Sequence, residues 1–226
     1  IGGWLCGCPV INDNKIFFTS DTTTYCYDAI DGSKIWESPG TGGLTSPCIY
    51  NNSVYTIKND MLVRLNINNG NPIWYSTQVG GTIESSPAVF DGKIYVGCYD
   101  GKLYCFNADN GNIIWSFDTS KSISRSSPAI ADGKVYIGTI ADNEARFYCI
   151  DAYTGNELFN YTIGASIYSS PAISDGEVYI GSLNNLLYCF QEDPGPQPPV
   201  VIMNGPYRAG VGDIIHFSAA KSWDPD

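Results

Sequence analysis

The chain has 226 residues, 43% of them hydrophobic and 13% aromatic, which supports a packed core and excludes a disordered chain. Only 15% of residues are charged, the formal net charge is -11, and 12 residues are basic. This argues against a nucleic-acid partner, which needs clustered Lys and Arg for phosphate. No apolar run approaches the ~20 residues of a membrane span.

Taken in order, the chain repeats one unit. Pro9, Pro47, Pro87, Pro128 and Pro171 stand 38, 40, 41 and 43 residues apart, each followed by an apolar run, a polar turn and a second strand. The expected second strands are Lys15–Phe18, Val54–Ile57, Lys93–Gly97, Lys134–Gly138 and Glu177–Gly181. Third strands are expected around Tyr25–Asp28, Leu62–Asn66, Leu103–Asn107, Phe147–Asp151 and Leu186–Phe190. Fourth strands follow Gly32, Gly70, Gly111 and Gly155 and carry Trp36, Trp74, Trp115 and Phe159. The clearest copy, Ser86 to Trp115, has Asp91-Gly92, Asp100-Gly101 and Asn110-Gly111 between short apolar runs. Asp-Gly and Asn-Gly in that setting signal hairpins, because the turn requires positive φ. The unit is therefore a four-stranded antiparallel meander of about forty residues, the size of one β-propeller blade.

The ends depart from the repeat. Ile1-Gly2-Gly3 aligns with Val79-Gly80-Gly81, the tail of a fourth strand, and no fourth strand is expected after Phe190. An upstream part is expected to complete the ring, since an open arc exposes sheet faces. Residues 192–199, EDPGPQPP, read as a stiff linker with four prolines. A new domain is expected over 200–226.

The pattern SSPA(V/I)-x-DG-x-(V/I)Y(V/I)G, then LYCF, then an NG or TG turn and an apolar Trp strand resembles the PQQ-like repeat. That repeat builds the propellers of quinoprotein dehydrogenases and of non-enzymatic outer-membrane assembly lipoproteins. The resemblance covers residues 1–191 and implies an all-β propeller, with these five repeats forming part of a seven- or eight-bladed ring. It also implies that Trp36, Trp74, Trp115 and Phe159 dock one blade on the next. Residues 200–226 resemble the first part of a PKD domain, an immunoglobulin-like β-sandwich. The resemblance rests on Gly205-Pro206-Tyr207, Gly212-Asp213 and the closing Ser222-Trp223-Asp224-Pro225-Asp226.

Chemistry is sparse. The only histidine, His216, falls in the PKD-like part, which removes His-based triads and His metal sites from the propeller. Each Asp of an Asp-Gly turn has a sufficient structural role there. Of eight cysteines, Cys26, Cys105, Cys149 and Cys189 recur at one phase of the repeat. That phase sets them a blade apart, too far to bridge, and they read as small buried hydrophobes. If Cys6 and Cys8 share a strand their side chains face the same way and a bridge between them is strained, and Cys48 and Cys98 have no assignment. The resemblance implies that the dehydrogenase branch binds PQQ with a vicinal Cys-Cys pair and holds calcium through Glu, Asn and Asp; this sequence lacks the Cys-Cys pair and the cofactor-binding elements cannot be placed on it residue by residue, so neither cofactor is expected.

Positions that repeat serve the blade, whereas positions that vary at a fixed phase are free for a partner. Three residues before each proline stand Cys6, Leu44, Glu84, Arg125 and Tyr168. This phase leads into the innermost strand, so these side chains are expected around one mouth of the central channel. The tips between second and third strands also vary, at Tyr99, Ala141–Arg146 and Asn184-Asn185. The plain reading is tolerated surface variation. The sharper one is a binding mouth with Glu84, Arg125 and Tyr168 as polar contacts. Asn51-Asn52-Ser53 and Asn160-Tyr161-Thr162 match glycosylation acceptors and fit an exported protein.

The expected function is a non-enzymatic cell-surface or secreted scaffold that uses a propeller face to bind protein or carbohydrate. The alternatives are the binding portion of an extracellular enzyme and an assembly scaffold like the outer-membrane lipoproteins.

Overall fold

A computed structural model of the chain describes Leu5 and residues 7–191 and 200–204. Every described sheet has four antiparallel strands in chain order. The first comprises β1 (Val10–Asn12), β2 (Lys15–Thr19), β3 (Thr23–Asp28) and β4 (Lys34–Pro39). The second comprises β5 (Cys48–Tyr50), β6 (Ser53–Lys58), β7 (Met61–Asn66) and β8 (Pro72–Tyr75). The third holds β9 (Ala88–Phe90), β10 (Lys93–Gly97), β11 (Lys102–Asn107) and β12 (Ile113–Asp118). The fourth holds β13 (Ala129–Ala131), β14 (Lys134–Gly138), β15 (Arg146–Asp151) and β16 (Glu157–Thr162). The fifth holds β17 (Ala172–Ser174), β18 (Glu177–Ser182), β19 (Leu186–Gln191) and β20 (Val200–Asn204).

Turn chemistry explains the meander. The first hairpin of every sheet turns on two consecutive residues with positive φ: Asp13-Asn14, Asn51-Asn52, Asp91-Gly92, Asp132-Gly133 and Asp175-Gly176. Two such residues suit the twist of flanking strands, and Asn, Asp and Gly tolerate them best. At the end of the third strand an Asx side chain caps the next turn. Asp28, Asn66, Asn107 and Asp151 each accept a hydrogen bond from the backbone N–H two residues on, at 2.7–2.9 Å.

β20 corrects the expectation that the fifth repeat lacks a fourth strand. It pairs with β19 from Leu186↔Asn204 to Phe190↔Val200. An uncovered β19 would expose a row of unpaired backbone groups, and the run VVIMN satisfies them. Val200–Asn204 thus belongs to the fifth sheet rather than to a separate domain. The expected linker at 192–199 and the rest of the PKD-like part, 205–226, lie outside the described residues.

The core lies between sheets. The short first strands adjoin in series, β1 with β5, β5 with β9, β9 with β13 and β13 with β17. Each of four apolar clusters is shared by two consecutive sheets. Alternation along β10 divides its side chains accordingly: Ile94 and Val96 face the second sheet, and Tyr95 faces the fourth. The second, third and fourth sheets each have their two faces buried by different neighbours, so their stability depends on those neighbours.

Indole rings lock these contacts. A Cβ added to Gly70 would lie 2.5 Å from Trp36, one on Gly111 2.7 Å from Trp74, and one on Gly155 2.7 Å from Trp115. All three glycines have φ of +70° to +75°, so turn geometry and the stacked ring both require glycine there. A β-bulge sets each ring. The register shifts after Cys26, Arg64, Cys105 and Cys149, which leaves Ile35, Ile73, Ile114 and Leu158 as the extra residue before the aromatic. That extra residue is left outside the ladder and exposed, at 40–51% of its surface, while the ring next to it turns into the core.

The indole N–H groups are treated unequally. Trp36 Nε1 donates to the Ile67 carbonyl at 3.0 Å and Trp115 Nε1 to the Ala152 carbonyl at 3.3 Å. Trp74 Nε1 is buried without a partner. Its counterpart acceptor, the Ala108 carbonyl, takes the Tyr55 hydroxyl at 3.0 Å and Arg64 Nη1 at 3.4 Å. Arg64 stands at the phase that cysteine holds in the other four repeats, and its longer side chain reaches the carbonyl instead. Replacing Trp36 by Phe should therefore cost about 1 kcal/mol, a fall in Tm of roughly 2–4 °C. Trp74→Phe should cost clearly less, because it deletes a donor that has no acceptor. Thermal denaturation of the two variants side by side checks this.

Candidate functional site

The start of the first strand, the tip between second and third strands and the end of the fourth all lie at one end of each sheet, because the strands alternate in direction. At this end the segments before the prolines are pinned at two points. Ile123 and Ile167, both fully buried, occupy the space beside Gly97 and Gly138 at the ends of β10 and β14. A Cβ on either glycine would come within 2.3 Å of the isoleucine. The second pin is a serine. Ser85 Oγ accepts from Gly97 N at 2.7 Å and donates to its carbonyl at 3.0 Å. Ser169 does the same with Gly181 at 3.0 and 2.8 Å, and Ser126 accepts from Gly138 N at 3.2 Å.

The next residue links the sheets. Ser46 N donates to Ser86 Oγ at 2.9 Å, Ser86 N to Ser127 Oγ at 2.9 Å, and Ser127 N to Ser170 Oγ at 3.0 Å. Cys8 N begins the series with Ser46 Oγ at 2.8 Å. A buried isoleucine on one side and a clamped serine on the other leave the residue between them to point away from the sheets. Glu84 and Tyr168 are such residues, and Arg125 stands before the clamped Ser126 with the buried Ser124 on its other side.

Glu84, Arg125 and Tyr168 meet in one cavity of about 290 Å³, with Tyr99, Ser124 and Ile140 completing its wall. Tyr99 and Tyr168 are 49% and 41% exposed, so their rings are available to a partner. Ser124 Oγ donates to the Glu84 carboxylate at 2.5 Å, which bridges the third and fourth repeats. Leu44 is exposed at the equivalent phase of the second repeat and is not part of the wall. Cys6 lies outside the described residues. Ser124 was not visible as a site residue from sequence, because the segment before Pro128 holds one residue more than its counterpart before Pro87. That extra residue separates Ile123 from Arg125, and alignment on the proline conceals it.

A second cavity of about 220 Å³ lies at the same end, between the third and fourth sheets. Its wall is Thr119, Ser120, Lys121, Glu144, Arg146, Tyr148 and Thr162. Glu144, in the longer Ala141–Arg146 tip, accepts a hydrogen bond from Lys121. That contact holds the Glu144 carboxyl below its ordinary range.

The buried thiols are poor nucleophiles, whereas Cys8 is free and exposed. Cys26, Cys98, Cys105 and Cys149 are buried and unbridged, and burial pushes their pKa values up to about 11, 12, 12 and 11. Among the described residues no group of three or more His, Cys, Asp or Glu side chains is placed to hold a metal ion. No helix of the described residues is long and apolar enough to cross a membrane.

Sheets of this form, docked through indole on glycine and pinned at the mouth by serine, define a β-propeller of PQQ-type repeats. The family described as outer membrane protein assembly factor BamB matches residues 2–116, 58–146 and 99–197, and the chain belongs to that family. None of the curated proteins matches it. Solved structures share the fold at low identity. BamB from Moraxella catarrhalis superposes with a TM-score of 0.70 at 18% identity, over 84% of this chain and 62% of that one. The computationally designed Ika8 protein gives 0.68 at 16% identity, over 80% and 56%. Quinohemoprotein alcohol dehydrogenase from Comamonas testosteroni gives 0.73 at 14% identity, over 90% and 43%. The chain thus spans less than two thirds of the length of each.

The buried thiols set a pH dependence. An unfolded cysteine ionises near pH 8.5, whereas these keep their protons until about pH 11–12. Above pH 8.5 the unfolded chain has lost protons that the folded chain retains, so stability falls as pH rises. The urea midpoint should be flat from pH 7 to 8 and decline steadily from pH 8.5 to 10.5. Cys105→Ala should make that decline shallower.

Proposed function

We propose that this chain is a non-enzymatic binding and scaffolding protein that presents the mouth of its propeller to a protein partner outside the cytoplasm. The observation that carries this reading is the convergence of Glu84, Arg125 and Tyr168, which stand at a phase that varies between repeats, on one cavity beside Tyr99. The cavity offers a carboxylate, a guanidinium and two half-exposed phenol rings. Tyr and Arg are the residue types that dominate binding energy at protein interfaces. Membership in a family described by an outer-membrane assembly factor supports a protein partner and an exported location. A role in carbohydrate binding has the same aromatic rings in its favour and no further support.

The alternative, the binding portion of an enzyme, draws on the fold likeness to the alcohol dehydrogenase. The residues fit that chemistry poorly. Its cofactor would need a vicinal cysteine pair, whereas these cysteines recur singly, blade by blade, with protons held by burial.

A photo-crosslinking side chain at Tyr99 should trap the partner in the source cell, and the same side chain at Tyr153, on the opposite end of the sheets, should not. Arg125 and Tyr168 are exposed, and Glu84 is half-buried with one hydrogen bond from Ser124, so the Glu84→Ala/Arg125→Ala/Tyr168→Ala variant should stay folded and lose roughly 2–4 °C in Tm. It should lose the Tyr99 adduct. Equal trapping from both ends, or an adduct untouched by the triple substitution, would overturn the reading.

A further inference from the structure

The residue before each left-handed glycine completes the turn that carries the indole joint, and it differs between sheets: Asp31, Asn69, Asn110 and Thr154. In all four the side-chain oxygen accepts a hydrogen bond from the backbone N–H two residues on, at 2.8, 3.0, 3.0 and 3.3 Å. The turn needs a short side chain with an acceptor, and Asp or Thr serves as well as Asn. Asn69 and Asn110 add a reactivity that the other two lack. Asparagine is thermolabile, and a following glycine leaves the backbone nitrogen beside its amide unshielded by any side chain. Thr154 has no amide, and hydrogen bonds from Ser33 hold the Asp31 pKa below its ordinary range, as an ionised carboxylate and a poor electrophile. Both asparagines are exposed, so water reaches them. The folded turn nevertheless ties down the reacting nitrogen. Gly70 N donates to the Asn66 carbonyl and Gly111 N to the Asn107 carbonyl, each at 2.9 Å. Both glycines are buried under an indole of the preceding sheet, Gly70 under Trp36 and Gly111 under Trp74.

We propose that Asn69-Gly70 and Asn110-Gly111 are self-modification sites gated by the indole joints, silent while the ring lies on the glycine and converted to isoaspartate once it leaves. Water is the one co-reactant. With the turn open, the glycine nitrogen loses its proton and bonds to the asparagine side-chain carbonyl carbon. The amide nitrogen takes up a proton and departs as ammonia. Water then opens the five-membered succinimide at either carbonyl, which leaves aspartate or isoaspartate. Aspartate fits the turn, as Asp31 does in the first sheet. Isoaspartate lengthens the main chain by a methylene between the asparagine Cα and the glycine nitrogen, so the glycine no longer comes to rest under the ring. Each joint is thus a latch that closes again after a brief opening and fails to close after a long one. Local opening sets how often the turn is released, and the chemical change makes the release irreversible. The blades' rate of parting therefore sets a lifetime for the whole scaffold.

Peptide mass spectrometry of the 226-residue chain at mildly alkaline pH tests the gating, with isoaspartyl methyltransferase labelling to separate the two products. In guanidinium the two sites should convert at similar rates, and in the folded chain each should slow by about tenfold or more, as the rarity of opening dictates. Trp36→Ala should speed conversion at Asn69 several-fold and leave Asn110 little changed, and Trp74→Ala should do the reverse. Where an alanine variant does not fold by circular dichroism, the phenylalanine variant at that position should show the same selectivity at smaller amplitude. Folded and unfolded chains reacting alike, or one substitution speeding both sites equally, would overturn the proposal. The latch is read by refolding a chain aged in guanidinium, whose urea midpoint should fall. Asn204-Gly205 is the third such pair and ages as well. The Asn69→Thr/Asn110→Thr variant, aged the same way, should therefore keep the midpoint it had before ageing. An isoaspartate-rich chain that regains the parent's midpoint, or a threonine variant that loses as much as the parent, would overturn the latch.

Discussion

An indole lying on a glycine is the contact that the rest of this structure depends on. In the first four sheets the third strand ends in an Asx turn that leads to a left-handed glycine, and in the second, third and fourth the indole of the preceding sheet rests on the surface where a side chain would begin. The joint works because two constraints coincide at one residue. The turn needs positive φ, and the ring needs the absence of Cβ. Apolar clusters then fill the wedge between sheets, and the bulge before each ring turns it from the outer wall into that wedge. The joint tolerates variation at its rim, where Arg64 takes over the carbonyl that Trp74 would otherwise reach. At the ring position itself, phenylalanine replaces tryptophan in the fourth sheet, where Phe159 packs against the core shared with the fifth.

The mouth is built by the same economy. In the third, fourth and fifth sheets serine hydroxyls close onto Gly97, Gly138 and Gly181 of the second strands, isoleucines fill the space beside Gly97 and Gly138, and a series of N–H to hydroxyl bonds runs from sheet to sheet. The backbone is thereby fixed on both sides of one residue per repeat. Rigid elements that hold a free side chain are the arrangement that binding sites need. Glu84, Arg125 and Tyr168 differ in charge and shape at this phase, and of the three Glu84 is held by a hydrogen bond from Ser124 of the next repeat.

Much of this was legible in one dimension. Five prolines at a near-constant spacing, Asp-Gly and Asn-Gly turns, and aromatics four residues after a glycine are local signals, and each maps onto one strand or one turn. The variable phase before the proline was legible for the same reason, since repeats within a single chain serve as their own comparison. Other features escaped. The bulge before each tryptophan is a property of two paired strands. Ser124 entered the cavity through a one-residue insertion that a proline-anchored alignment conceals. β20 was assigned elsewhere because its run of apolar residues fits the start of another sheet equally well, and only the bare edge of β19 selects its partner.

The sequence by itself determined the number of sheets, the order of their strands and the residues that dock them, because turn geometry and alternation act over a few neighbouring residues. Tertiary structure decided which of the variable positions meet. Leu44 and Tyr168 occupy the same phase, yet only Tyr168 shares a cavity with Glu84 and Arg125. That distinction depends on how three consecutive sheets stack around an axis and on the 2.5 Å contact between Ser124 and Glu84 that ties two of them together. Distances across forty residues are set by packing, and no local pattern encodes them.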